Sequence, residues 1–79
     1  MTEAIQYEYM RVADVVAAQI TEGTLQPGVR LPGEREMAAA HGVALGTARR
    51  ALRELRDRGL VKTLPAKGTY VTATAEPAR

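Results

Sequence analysis

Five arginines fall within ten residues: Arg49, Arg50, Arg53, Arg56 and Arg58. Arginine carries a planar fork of donors that fits a phosphate or the edge of a guanine, so it matters which of the five are already paired within the chain. On a helix, Arg50, Glu54 and Arg58 lie four apart, as do Arg53 and Asp57. Pairs at that spacing contribute about 0.2–0.5 kcal/mol each and account for these side chains as a salt-laced surface. Arg50 is explained as well by Glu54 as by an outside anion. Arg49 differs, because its helical neighbours at three and four are Leu45, Gly46, Leu52 and Arg53, with no acid among them. It is expected to stay free for guanine or phosphate. Arg56 also lacks a local acid, but near a helix C-terminus it complements the dipole.

Other chemistry finds little support. No nucleophile stands beside a base, no glycine-rich loop has the phosphate-cradling form, and no carboxylate pair suggests acid–base work. The chain has no cysteine, which excludes disulfides, Cys-based zinc sites and thiol chemistry. His41 is the lone histidine; without a metal partner it is expected to be a partly buried helix-end residue. No enzymatic activity, cofactor or metal is expected.

Seventy-nine residues allow one domain, taken as 1–79 with an ordered core at about 7–72 and a loose tail at 73–79. A chain of this size buries only ~60% of its unfolded surface, too little to wall off a deep dry cleft. No apolar run approaches the ~20 residues of a membrane span, and no signal-peptide core follows Met1, so a cytoplasmic protein is expected. The formal charge is only +2, but it is unevenly placed. Residues 1–29 hold one base against four acids, whereas 30–67 hold nine against four. A basic half of this kind is what an electrostatic nucleic-acid footprint requires.

The elements that position these residues follow from spacing. Tyr9, Val12, Ala13, Val16 and Ile20 form one stripe of an amphipathic helix running from about Tyr7 to Glu22, closed by Gly23. Pro27-Gly28 suits the centre of a type II turn, and Leu31-Pro32 reads as an extended pair. Arg30-Leu31 is available as a short third strand. Gly33 is a tolerable N-cap for a short helix whose first turn holds Glu34 and Glu36, with Met37 and Ala38 inward and Gly42 at its end. A third helix at about 45–58 places Ala48, Ala51, Leu52 and Leu55 on one face and stops at Gly59. Residues 60–64 and 69–72 are β-prone runs around Pro65-Ala66-Lys67-Gly68, which reads as a hairpin. The expected class is mainly α with a small β wing: three helices plus a two-stranded antiparallel hairpin, a winged helix-turn-helix.

With these elements in order, the text resembles the DNA-binding domain of GntR-type bacterial transcription regulators. The resemblance is carried by Tyr9-x-x-Val12-Ala13 with Ile20-x-x-Gly23, and by Leu25-x-Pro27-Gly28-x-x-Leu31-Pro32-x-Glu34-Arg35-Glu36-Met37-Ala38. It continues through Gly42-Val43, Thr47-x-Arg49-x-Ala51-Leu52-x-x-Leu55, Gly59-Leu60-Val61 and Lys67-Gly68-Thr69-Tyr70-Val71, covering roughly 9–71 without a gap. It implies binding to operator DNA, usually as a dimer on a two-fold symmetric site. By the same resemblance, Arg35 contacts DNA from the start of the second helix, and the first turn of the third helix reads bases in the major groove. The wing, about 62–71, lies on the backbone and reaches a minor groove with its Gly-Thr tip. The DNA-contacting set is taken as Arg35, Ala44, Leu45, Gly46, Thr47, Arg49, Arg50, Lys67, Gly68 and Thr69.

The chain departs from the family pattern at informative places. Ala44 stands where a capping Ser or Thr is common; either the helix end loses about 1 kcal/mol, or the helix starts later with Thr47 as cap. Leu45 replaces a usual Arg and is either a partly exposed hydrophobe or a contact to a thymine methyl. Gly46 offers no side chain, Arg50 replaces a common Glu, and Ala66 replaces the first glycine of the wing tip. Arg35 and Lys67 have ordinary solvated readings, and Thr47 serves as cap, phosphate ligand or both. The expected function is sequence-specific duplex DNA binding in transcriptional control, more often repression, in the bacterial cytoplasm and on the nucleoid when bound. Two rivals remain: a protein-interaction module, and a non-specific DNA-coating protein. Family regulators continue into an effector-binding domain beyond the wing, so the chain is either cut from a longer protein or a minimal regulator. It is expected to be monomeric or weakly dimeric when free and dimeric on DNA.

Overall fold

The computed structural model describes residues 7–72. The expectation for the tail at 73–79 lies outside the described residues. Helix α1 (Glu8–Glu22) buries Val12, Ala13, Val16 and Ile20, the stripe expected from spacing. The chain leaves it through Gly23 and turns at Gln26–Val29, where the Val29 N–H donates to the Gln26 carbonyl at 3.1 Å. Gly28 at φ +89° supplies the positive angle that a type II turn demands at its third residue.

The third strand expected at Arg30-Leu31 is reduced to a single antiparallel bridge between Arg30 and Tyr70. The Leu31 N–H reaches the Thr69 carbonyl at 2.8 Å, and the Val71 N–H reaches Val29 at 2.9 Å. The Gln26–Val29 turn bounds the ladder on one side, and beyond Leu31 no further pair forms among the described residues.

Helix α2 (Glu34–His41) starts from Gly33, whose N–H is taken by Glu36 Oε1 at 3.0 Å. Glycine has no side chain to return the favour, so only half of a capping box forms. Helix α3 (Leu45–Asp57) follows after three residues. The second and third helices end alike: Gly42 and Gly59 are each followed by an apolar residue whose N–H returns to the last turn. Val43 reaches Ala38 at 3.0 Å and Leu60 reaches Leu55 at 3.1 Å, and both packed side chains cover the core. Strands β1 (Val61–Leu64) and β2 (Gly68–Val71) pair antiparallel, with Val61 opposite Val71 and both buried.

The core forms where α1 crosses α3. Leu55, Val12 and Val16 are the largest fully enclosed side chains. Ala13, Ala48 and Ala51 are fully buried between them, and such small residues let two helix backbones approach closely. Leu31, Met37, Val61 and Val71 close the core from the connector, α2 and the hairpin. Among the described residues no polar or charged side chain is buried, so every group able to meet a ligand by charge lies at the surface. The molecule is a three-helix winged helix-turn-helix, mainly α with a two-stranded wing.

Candidate nucleic-acid interface

The amino end of α3 is bare. Ala44 takes the extended geometry of an N-cap at φ −68° and ψ 157° but contributes no side-chain hydrogen bond. The alternative start with Thr47 as cap is excluded, because the helix already runs from Leu45 and the Ala48 N–H closes onto the Ala44 carbonyl at 3.0 Å. Thr47 is therefore a half-buried residue of the first turn, and Leu45 beside it is also half-buried. Ala44 and Gly46 are exposed, and an added side-chain carbon at Gly46 would meet nothing within 4 Å.

Arg49 corrects the sequence reading. It is not free: its Nε donates to Glu34 Oε1 at 3.1 Å, across fifteen residues. The acid comes from the first turn of α2, which helical spacing along α3 cannot reveal. The contact joins the start of α2, where Arg35 is exposed, to the amino half of α3. Those two segments thus share one surface.

Arg50 is the second correction. Its guanidinium lies 4.2 Å over the Tyr9 ring, and Tyr9 in turn stacks with Tyr7 at 6.1 Å. Glu54 is held instead by Arg58, whose Nε reaches it at 2.9 Å while Nη2 reaches Asp14 of α1 at 2.9 Å. The hydrogen bonds to Glu54 and then Asp14 raise the Arg58 pKa above its ordinary value, so this clamp between α1 and α3 stays charged. Arg50 thus packs on α1 through a cation–π contact in place of the pair with Glu54 that local spacing offered. Among the described residues Arg53 and Asp57 form no ion pair within 4 Å, so the pair expected from their spacing is not made.

The wing is tied to the helix by a side chain read from sequence as a simple dipole complement. Arg56 Nη1 donates to Thr63 Oγ1 at 3.1 Å, and Thr63 and Thr69 share a hydroxyl hydrogen bond of 2.9 Å across the two strands. Thr69 is thus oriented from α3 through Thr63. At the tip, the Lys67 N–H closes onto the Leu64 carbonyl at 2.9 Å, and the Tyr70 hydroxyl donates to the Lys67 carbonyl at 3.2 Å. The Lys67 side chain is exposed. Gly68 has φ +123°, and a Cβ there would lie 2.6 Å from Arg30 Nε. Arg30 therefore lies against the wing glycine. Sequence reasoning passed over it, since it belongs to the connector thirty-eight residues earlier; the isolated β-bridge to Tyr70 is what brings it there. Its basic character between two prolines was the one available signal.

His41 occupies the last position of α2 and is half-buried, as expected. Among the described residues no group of three or more His, Cys, Asp or Glu is placed to hold a metal, and no helix is long and apolar enough to cross a membrane.

The chain is similar to known proteins over the whole of this architecture. The HTH-type transcriptional regulator SmoD of Agrobacterium fabrum is 39% identical over 69 residues, which cover 87% of this chain and 30% of SmoD. A histidine utilization repressor of Klebsiella aerogenes is 41% identical over 69 residues, covering 87% of this chain and 27% of that protein. The chain thus spans less than a third of the length of these relatives. Among solved structures, AraR(DBD) in complex with operator ORR3 superposes with a TM-score of 0.82 at 28% identity, covering 91% of this chain and 87% of that one. The family described as bacterial regulatory proteins, gntR family, matches residues 8–71, from the first residue of α1 to the last residue of β2. A transcription regulator's winged helix, not an enzyme, is what the residues, the fold and these relatives have in common, and the chain belongs to the GntR family.

Proposed function

We propose that this domain binds duplex DNA sequence-specifically and serves a regulator that more often represses than activates, acting on the nucleoid. The observation that carries the reading is the Arg49–Glu34 contact, which joins the amino half of α3, with Thr47, to the first turn of α2, with the exposed Arg35. In this reading the exposed amino end of α3 enters the major groove, and Arg49 addresses a guanine edge with its terminal nitrogens. Arg35 and the bare N–H groups after Ala44 take phosphates. The wing follows the backbone, with Lys67, Gly68, Thr69 and the neighbouring Arg30 at a minor groove. Arg50, held on Tyr9, is at most a backbone contact. The operator complex of AraR(DBD) and the repressor relatives support this assignment. A two-fold symmetric site bound by two copies, which are monomeric or weakly dimeric when free, completes it.

The test is competition between a symmetric duplex enriched by the chain from a random pool and an unrelated duplex, across a salt series. A specificity ratio of at least ~10³ is expected, with log K falling against log salt by roughly 0.9 per phosphate contact. Arg49→Ala should cost specificity, whereas Lys67→Ala should weaken both duplexes alike. Salt-insensitive binding, or a chain that prefers no duplex, refutes the proposal.

A further inference from the structure

Glu34 is an acid placed where the proposed surface needs cations. Its pair with Arg49 is open, with 45% of the Glu34 and 53% of the Arg49 side chain exposed. Such pairs contribute at most about 1 kcal/mol, so the fold has little use for this one. A carboxylate here repels phosphate, and the dipole of α2 is already served by Glu36 in the same turn. A residue that adds little to folding and opposes the ligand's charge calls for another role.

The geometry offers one. The contact is made through Nε, one of the five N–H donors of arginine. The terminal nitrogens, which a guanine edge takes bidentately, remain available. An unrestrained arginine must surrender rotamer freedom when it binds; an arginine already held by Nε loses less. We infer that Glu34 is a positioning residue for sequence readout, holding the Arg49 guanidinium in the orientation that reads a base. This rests on the reading of α3 as the base-reading helix. It separates two quantities that usually move together. Removing the acid lowers affinity for the cognate duplex and leaves affinity for unrelated DNA unchanged or higher.

The experiment uses the 79-residue chain as wild type, Glu34→Ala, Glu34→Gln, Arg49→Ala and the Glu34→Ala/Arg49→Ala double variant. Binding is measured by fluorescence anisotropy on the duplex that wild type enriches from a random pool and on a scrambled duplex. Glu34→Ala is expected to lower the ratio of the two affinities about tenfold, the cost of ordering one long side chain. Glu34→Gln keeps an acceptor oxygen and should hold the ratio within about threefold of wild type. In the Arg49→Ala background, Glu34→Ala should change the ratio no further. In parallel, the Arg49 Nε–H resonance of the free protein should shift in Glu34→Ala and little in Glu34→Gln.

An unchanged or raised ratio in Glu34→Ala overturns the inference. So do losses that multiply in the double variant, because Glu34 would then be touching DNA itself, as a carboxylate accepting from a cytosine amine does. Failure of the parent reading looks different: wild type enriches no duplex, or Arg49→Ala retains full specificity. A normal Arg49→Ala loss with a silent Glu34→Ala sinks the positioning role alone.

Discussion

Replacing Gly68 by alanine tests how the wing is built. The residue sits at φ +123°, a region that costs a non-glycine residue about 1–3 kcal/mol. The new Cβ would also stand 2.6 Å from Arg30 Nε and 3.4 Å from both Cζ and Nη2, so the guanidinium must move off the wing. Forcing a long side chain from its rotamer adds about 0.5–1.5 kcal/mol. The two costs separate in a double-mutant cycle. Gly68→Ala alone is expected to destabilise by about 1.5–4.5 kcal/mol, the sum of both. In an Arg30→Ala background the same change should cost only the backbone part, about 1–3 kcal/mol. Thermal unfolding of the four proteins, followed by circular dichroism, reads this directly, since each kcal/mol moves Tm by about 4–8 °C in a domain of this size. Equal losses in both backgrounds would show that the guanidinium does not rest on the glycine. A Gly68→Ala protein as stable as wild type would refute the backbone argument as well.

The remaining expectations concern the helices. Ala44→Ser supplies the missing cap to the N–H groups of α3 and should raise unfolding free energy by about 1 kcal/mol in a denaturant titration; no gain would mean that those groups are already satisfied. Arg58→Gln breaks the clamp to Asp14 and Glu54 and should cost about 1 kcal/mol, less at high salt, because the group remains partly exposed. Since the clamp raises the Arg58 pKa, its contribution is complete below the unfolded value and fades only as pH rises through the folded one. A stability difference between wild type and Arg58→Gln that changes between neutral and mildly alkaline pH would contradict this. Leu55→Ala empties a fully buried site between α1 and α3 and should cost about 2–5 kcal/mol, a large share of what a small domain has, visible as a non-cooperative or sharply lowered melt.

Much of this molecule was legible in order along the chain. The stripe from Val12 to Ile20, the Pro27-Gly28 turn, the glycine stops and the alternation around Pro65–Gly68 each depend on residues within a few positions of one another. Local sterics and hydrogen bonding settle such features, and burial then selects the apolar face. The family pattern rests on the same local spacings, which is why it too could be read before any coordinates. Among the expected elements, the strand at Arg30-Leu31 shrank to a single bridge.

What escaped was which side chain each arginine meets. Arg49 finds Glu34 fifteen residues away, Arg56 finds Thr63 on the wing, Arg58 adds Asp14 forty-four residues away, and Arg50 turns to Tyr9 rather than Glu54. Helical periodicity fixes neighbours at three and four on one helix. The partners across helices depend on how α1 and α2 pack on α3 and how the hairpin folds back, which the apolar core decides without reference to any single charge. The five clustered arginines therefore announced a cationic surface from their spacing. The packing then assigned Arg58 to the scaffold, Arg56 to the wing, Arg50 to α1 and Arg49 to an acid on α2, because long flexible cations take whichever anion or ring the assembled core brings within reach.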